Sequence, residues 1–553
     1  MMKKLYSEKR FSDFRGIINH SAAHFGRRCA FETKTQDGTS RKVTYRELRE
    51  RFYALCNRFL ADGLCGRRIA VIGKNSFEWV LSYLAAATVG VVVPLDRELQ
   101  GGDIENFLRS ADCAAFCADE EATKKVSPDL LAGMHEYRFS DLSALSEGKN
   151  VACEAVDALT IRPDETQILI FTSGTTGNAK GVCLSQFAVC SDIYSTVRAV
   201  RIRKKDVTLS ILPLHHTYEC TLNCLLILSR GAKITYCDGL TKIQKNLTEY
   251  SPSVLVVVPA LLKMLNKRIR ASLAKECPEK YRTLFETETL ADALRKIPFP
   301  VRRIIRAKVR ASLGGNLRLF IVGAAALDTG LVEDFLAIGI RTLQGYGLTE
   351  CAPLLAGNND FYLNPASTGV AMPGIRLKID HPSADGVGEI LAKGDNIMLG
   401  YFNDPEATKR VFRDGWFCTG DLGQMDPDGA LYIRGRIKNV IVTENGKNIY
   451  PEELETRIAL HPEIGEVLVV GINDEKKSET HIKAKIFPNL DFIKKLLGHI
   501  PTKQEIEEYI RQVINVVNKE MPGYQRISVI DILTSPFEKT TTQKIRRCGA
   551  NLA

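Results

Sequence analysis

Short, unbroken apolar runs alternate with amphipathic segments along most of this chain. That alternation limits the fold more than any other feature. "RRIAVIG", "VGVVVPL", "AAFCA", "ILIFT", "VTLSIL", "KITYC", "SVLVVVP" and "LRLFIVG" are each too short for a helix and apolar at consecutive positions. A strand with one wet face would alternate polar and apolar residues. A continuous run fits a strand buried on both faces, and the segments between have helical spacing. Together they predict parallel sheets covered by helices on both sides. "TYRELRERFYALCNRFLADGL" reads as one covering helix, opened by a threonine cap with a glutamate close behind. The longest apolar stretch, "WVLSYLAAATVGVVVPL" from Trp79, is at the lower edge for a membrane span. Gly90 and Pro94 punctuate it, so it predicts a buried helix followed by a strand.

The pattern changes twice. Residues 264–313 are helical and charge-dense, ending in a basic cluster of Arg302, Arg303, Arg306, Lys308 and Arg310. Two readings stay open there: a solvated helical excursion, or a face for an anionic cofactor or membrane surface. Near "LYIRGRIKNVIV" the α/β alternation gives way to a small α+β pattern, after Gly- and Asp-rich turns separating short strands. The expected fold is α/β: a large N-terminal domain, residues 1–436, of stacked αβα parallel-type sheets plus a small β-barrel-like subdomain. A small mobile α+β domain, residues 437–553, follows it.

The net charge of +10 suits a protein that handles anions. The basic cluster is not interleaved with stacking aromatics, and no nucleic-acid recognition motif is present. The 15 cysteines are scattered without zinc spacing, which fits reduced thiols in the cytosol. The N-terminus is charged and lacks the apolar core of a signal peptide. The expected location is cytoplasmic, with peripheral contact at the inner membrane face as an added option.

The chemistry begins at "FTSGTTGNAKGVCLS", residues 171–185. A loop rich in Thr, Ser and Gly follows an apolar strand and ends in Lys180. Such a loop is suited to holding phosphate. A Walker loop starting at Gly174 would need glycine where Ala179 stands, and Ser or Thr where Gly181 follows Lys180. The ordinary phosphoryl-transfer loop is therefore excluded. What remains suits the outer phosphates of ATP and departing pyrophosphate.

"FTSGTTGNAKGV" resembles the phosphate loop of the acyl-adenylate-forming enzymes: acyl-CoA synthetases, peptide-synthetase adenylation domains and luciferases. Seven further segments follow in that family's order, and together they imply the site. Thr172, Ser173, Gly174, Thr175, Thr176, Gly177 and Lys180 would hold the ATP phosphates. "LPLHHTYE" supplies His216 at the acyl site, where gating and a purely structural role are both open. "FIVGAAAL" supplies Gly323, Ala324 and Ala325 against adenine. "GYGLTE" supplies Gly345, Tyr346 and Gly347 at the base, with Thr349 and Glu350 at phosphate and Mg²⁺; Thr172 is a second candidate metal contact. "WFCTGDLG" supplies Asp421 for the ribose hydroxyls, and "YIRGRIKN" supplies Ile433, Arg436 and the hinge residue Lys438. "TENGKNIYP" supplies Gly446, Lys447 and Asn448 for the thiol channel. "EKTTTQKIRR" supplies the catalytic lysine, Lys544.

The resemblance implies two half-reactions. A carboxylate attacks the α-phosphate of ATP to give an acyl-AMP, and a thiol then displaces AMP. Negative charge gathers in the first step, which explains the cations around it. "GYGLTECAPLLAGN", "NIMLGYFNDPEAT" and "GRIKNVIVTENGKNIYPEELE" look most like bacterial long-chain fatty acyl-CoA synthetases. The implied partners are a fatty acid of medium to long chain, ATP, Mg²⁺ and CoA. An acyl carrier protein is the alternative acceptor, and a non-catalytic lipid-binding homologue is the alternative of another class. Two departures stand out: "GAAAL" replaces a Gly- or Ser-rich version, and neither Trp79 nor Trp416 falls near the acyl site to act as a gate.

Overall fold

The computed structural model describes residues 5–34, 39–142, 151–172, 180–443, 447–474, 479–539, 545–547 and 549–552. The chain forms two compact units. The first comprises the described residues of 1–174, 179–377 and 392–417, and the second includes 378–391 and 418–553. Residues 378–391 and 418–436 thus cluster with the C-terminal region, upstream of the 436/437 boundary expected from sequence.

The apolar runs form two sheets in the first unit. In one, strands Arg341–Gly347, Leu319–Val322, Val254–Val257, Val207–Ser210, Lys233–Tyr236 and Cys29–Lys34 lie side by side in that order, all parallel. Antiparallel strands extend both of its edges, including Leu354–Gly357 beside Arg341–Gly347. In the other, Ile168–Thr172, Val91–Pro94, Arg68–Ile72, Cys113–Ala118 and His135–Arg138 are parallel. Lys180–Leu184 and Gly400–Tyr401 continue that sheet antiparallel at one edge.

The physical reason is burial. Every residue of Val254–Val257 and of Leu319–Val322 is buried, so each strand must be covered on both faces. The long apolar stretch from Trp79 divides as expected, into helix Phe77–Val89 and strand Val91–Pro94. All but one of the helix residues are buried, so it is a core helix. Among the described residues, no helix is long and apolar enough to cross a membrane. Helix Tyr45–Ala61 opens on a reciprocal cap between Thr44 and Glu47.

In the second unit, residues 418–425 of strand Trp416–Met425 pair antiparallel with strand Leu431–Arg436, with a bulge at Leu422 and Gly423. A separate sheet of Ile464–Asp474, Glu479–Pro488 and Val529–Ile532 carries helices Pro451–Ile458 and Lys503–Lys519. Leu454, Ile458, Ile510 and Ile514 pack with Val469, Ala484 and Ile486 as its core. Helix Leu490–Leu497, which the apolar pattern did not single out, is also present.

Candidate active site

The phosphate-loop hairpin joins strands Ile168–Thr172 and Lys180–Leu184, with Thr172 opposite Lys180. The Thr172 hydroxyl donates to the Lys180 carbonyl at 3.3 Å. Ser173, Gly174, Thr175, Thr176 and Gly177 lie outside the described residues.

Lys180 is placed by a contact that its sequence surroundings do not reveal. The short strand Gly400–Tyr401 pairs with Lys180–Leu184, and Phe402 N–H donates to the Gly181 carbonyl at 2.7 Å. This brings the Tyr401 ring under the Lys180 ammonium, 4.6 Å from Nζ to the ring centroid. The Tyr401 hydroxyl then donates to Glu350 Oε1 at 3.0 Å. Lys180 and Glu350 are 170 positions apart in sequence, yet one tyrosine touches both. Glu350 is further fixed at its backbone, where its carbonyl accepts from Met398 N–H at 2.8 Å.

The same pairing explains Gly181, the residue that excluded a Walker loop. A Cβ there would lie 2.9 Å from both Leu169 Cδ1 and Phe402 Cβ. Gly181→Thr, which would restore the Walker hydroxyl, is expected to destabilise the protein by about 1–3 kcal/mol through overpacking. Chemical denaturation of the two proteins measures this; equal midpoints would show that the strands have room to separate.

Gly345, Tyr346 and Gly347 close strand Arg341–Gly347, and Thr349 and Glu350 follow in a single helical turn. A Cβ at Gly347 would sit 1.8 Å from the Pro353 carbonyl oxygen, so glycine is required there. Beneath this turn lies buried Asn396, whose side-chain N–H groups donate to the Cys351 and Leu354 carbonyls at 2.7 and 2.8 Å. Buried Asp192 accepts from Leu354 N–H at 3.1 Å. Gly323 is buried and Ala324 and Ala325 are exposed. Ala324 has φ +71°, a left-handed conformation that favours glycine, so the departure in "GAAAL" falls at a position where a side chain is strained. A Cβ at Gly323 would meet the Tyr218 ring at 3.0 Å, and the Tyr218 hydroxyl donates to the Ile321 carbonyl at 3.0 Å. Tyr218, Leu222, Leu343, Gly345, Leu354 and Met372 line a narrow, mainly apolar cavity.

His216 packs against His215 with ring centroids 4.1 Å apart and the ring planes tilted by 48°. Burial lowers the His216 pKa to about 4, so its imidazole is neutral near pH 7. That favours shaping the site over supplying a proton.

Glu219, in the same motif, accepts from Ser210 Oγ and Asn223 Nδ2, both at 2.6 Å. Burial raises its pKa to about 8. Between pH 4.5 and 8 the folded protein keeps a proton that the unfolded chain has lost. Stability from this group is complete below 4.5 and declines as pH rises, by about 1.4 kcal/mol per unit at the steepest. Glu219→Gln cannot ionise. Its unfolding midpoint is expected to gain on the native protein's as pH rises from 5 to 8. A gap that stays constant over that range would refute the buried neutral carboxyl.

In the second unit, Asp421 and Arg436 face each other across paired strands, and Arg436 Nε lies 2.9 Å from Asp421 Oδ1. Asp421 is buried, so its charge needs this partner. The Thr419 hydroxyl accepts from Asp421 N–H at 3.1 Å and donates to the Ile390 carbonyl at 2.8 Å, fixing the strand. Ile433 is half-buried opposite Gly423. Lys438 is exposed in the short turn Ile437–Asn439. Lys447 Nζ lies 4.4 Å from the centroid of the Tyr524 ring, and exposed Asn448 pairs with Val442. Gly446 and Lys544 lie outside the described residues.

Tyr401, Tyr218, Asp192 and Asn396 were not identified from the sequence. "NIMLGYFNDPEAT" contained both Asn396 and Tyr401, but a motif does not say which residue touches which.

The fold agrees with the comparisons. The AMP-binding enzyme family matches residues 18–402, and the AMP-binding enzyme C-terminal domain matches 438–551. The chain belongs to the AMP-binding enzyme family. It is 30% identical over 447 residues to long-chain-fatty-acid–CoA ligase 1 of Cavia porcellus, covering 73% of this chain and 63% of that protein, less than two thirds of its length. It is 28% identical over 471 residues to long-chain-fatty-acid–CoA ligase FadD15 of Mycobacterium bovis, covering 79% and 76%. Among solved structures, ATP-bound MatB from Rhodopseudomonas palustris superposes with a TM-score of 0.75 at 23% identity, covering 96% of this chain and 97% of that one. That likeness supports the fold.

Proposed function

We propose that this protein activates a medium- to long-chain fatty acid with ATP and passes it to CoA. The acid's carboxylate oxygen bonds to the α-phosphorus of ATP, and the bond to pyrophosphate breaks. The CoA sulfur then bonds to the acyl carbon, the acyl–oxygen bond breaks so that AMP leaves with that oxygen and its electron pair, and the thiol proton is released. The observation that carries this reading is the contact chain from Lys180 through Tyr401 to Glu350 beside the phosphate-loop hairpin. It joins a cation for departing phosphates to an oxygen ligand for a metal.

The available donors are oxygen atoms, the Glu350 carboxylate and the Thr172 hydroxyl, and this hard donor set fits Mg²⁺. Bound there, Mg²⁺ would neutralise charge on the phosphates. Lys180 steadies the outer phosphates, and Tyr401 holds one Glu350 oxygen in place while leaving the other open. Asp421 accepts from the ribose hydroxyls, with Arg436 compensating its buried charge. Neutral His216 shapes the acyl entrance. Lys544 supplies the cation between carboxylate and α-phosphate, and residues 437–553 act as the mobile lid that carries it. Lys438 is the hinge, and Gly446, Lys447 and Asn448 border the thiol's path. The match of residues 438–551 to the family's C-terminal domain supports the lid reading.

The names of the aligned relatives favour CoA over a carrier protein as acceptor. Cytoplasmic action with peripheral membrane contact belongs to the same reading, supported by exposed Phe299 and Ile304 on helix Phe299–Ser312. The test is ATP–pyrophosphate exchange across fatty, aryl and amino acids, followed by thioester detection with CoA and with carrier protein. Exchange is expected with medium- and long-chain acids, and thioester with CoA. Exchange driven only by aryl or amino acids would overturn the fatty-acid assignment.

A further inference from the structure

Helix Phe299–Ser312 carries two arginines on its packed face. Arg302, Ile305, Arg306 and Val309 follow the three- and four-residue spacing of one helical face, and Ile305 and Val309 are buried. Such a face is ordinarily apolar. Arg302 and Arg306 instead border a groove of about 390 Å³ between this helix and helices Leu290–Lys296 and Thr329–Ala337. Leu294, Leu336 and Ala337 contribute apolar wall, and Arg295 adds a third guanidinium.

The arginines differ in their partners. Arg295 pairs with Asp292 at 2.7 Å and reaches Glu333, the groove's one carboxylate, at 4.0 Å. The Nε atoms of Arg302 and Arg306 are buried and make no hydrogen bond. Among the described residues, no carboxylate pairs with either guanidinium. Among the described residues, the Arg302 guanidinium meets the Phe299 ring, 5.6 Å away. A buried donor without a partner costs about 1–3 kcal/mol, a cost that an anionic ligand in the groove would offset. The groove therefore has the composition of a site whose polar partner is a ligand.

We propose that this groove is a phosphate-binding site for an amphiphilic or small phosphorylated ligand, separate from the adenylation site. A carboxylate is satisfied by one guanidinium fork, whereas the two guanidiniums of Arg302 and Arg306 beside one groove suit the several oxygens of a phosphate. The apolar wall would lie along the ligand's non-phosphate portion. None of the groove residues is among those assigned to acyl activation.

The test compares the full-length native protein with Arg302→Lys/Arg306→Lys, which keeps both charges and removes both forks, and with Arg306→Lys alone in case the double variant folds poorly. Arg303→Gln, on the exposed side of the same helix, is the control. The probes are inorganic phosphate, read by thermal shift and calorimetry, and phosphatidylcholine vesicles with and without phosphatidylglycerol, read by sedimentation. Fatty-acid-dependent exchange is measured alongside and is expected to be unchanged in the lysine variants. Affinity for the productive probe is expected to fall about tenfold in those variants, while Arg303→Gln leaves it unaltered. Saturable loss with inorganic phosphate identifies a soluble phosphate ligand, and loss confined to phosphatidylglycerol vesicles identifies a lipid headgroup. Binding that weakens as much in Arg303→Gln as in the lysine variants would show diffuse charge attraction and overturn the site. Absence of binding to both probes would also overturn it.

Discussion

Replacing Lys544 with alanine is expected to slow acyl-AMP formation by about 10³-fold or more, on the scale of losing a cation from a phosphate-transfer centre. Thioester formation from supplied acyl-AMP is expected to remain within a few-fold of the native rate. The asymmetry follows from charge. In the first half-reaction an anionic carboxylate approaches an anionic phosphate, and a cation between them is stabilising throughout. In the second, a thiol attacks an acyl carbon already activated by AMP, and the charge gained by departing AMP develops after the proposed lid movement has carried Lys544 away from the site. Pyrophosphate exchange reads the first step, and AMP release from synthetic acyl-AMP with CoA reads the second. Equal loss in both would assign Lys544 a structural or shared role and remove it from the adenylation step.

Glu350→Gln should lower the kcat/KM of adenylation by roughly 10²–10³-fold. The substitution keeps the side chain's shape. Its carbonyl oxygen can still accept from the Tyr401 hydroxyl, which donates to Oε1 at 3.0 Å. The backbone bond from Met398 N–H to the residue 350 carbonyl is untouched. The variant therefore removes a charge and the proposed metal ligand with little change to the fold, and unchanged thermal unfolding would confirm that. A higher Mg²⁺ requirement should accompany the slower rate. A variant with near-native kinetics at low Mg²⁺ would mean that Glu350 only anchors Tyr401 under Lys180.

Much of this protein is legible in its sequence, because some constraints are local. The unbroken apolar runs dictated strands buried on both faces, and those strands are present in parallel order. Gly181 after Lys180 ruled out one nucleotide chemistry without any structure. Ordered motifs then supplied a family and a set of residues.

Other constraints are not local. Tyr401 meets Lys180 only because a two-residue strand pairs across 220 positions of chain, and no spacing rule forecasts such a pairing. The necessity of Gly181 and Gly347 likewise comes from what approaches them, Phe402 and Leu169 in one case and the Pro353 carbonyl in the other.

The basic stretch shows the same division. From sequence, Arg302, Arg303, Arg306, Lys308 and Arg310 form a single charged cluster, and both a solvated surface and an anion-binding face remained open. Packing separates them, since Arg303 and Lys308 face solvent while Arg302 and Arg306 border a groove. The sequence by itself determined which residue types were available and how they repeat along the chain, and hence the sheet class and the family. Tertiary structure alone decided which distant residues share a ring, an oxygen or a buried wall. Those contacts depend on non-local strand pairing and helix packing, and no local pattern encodes them.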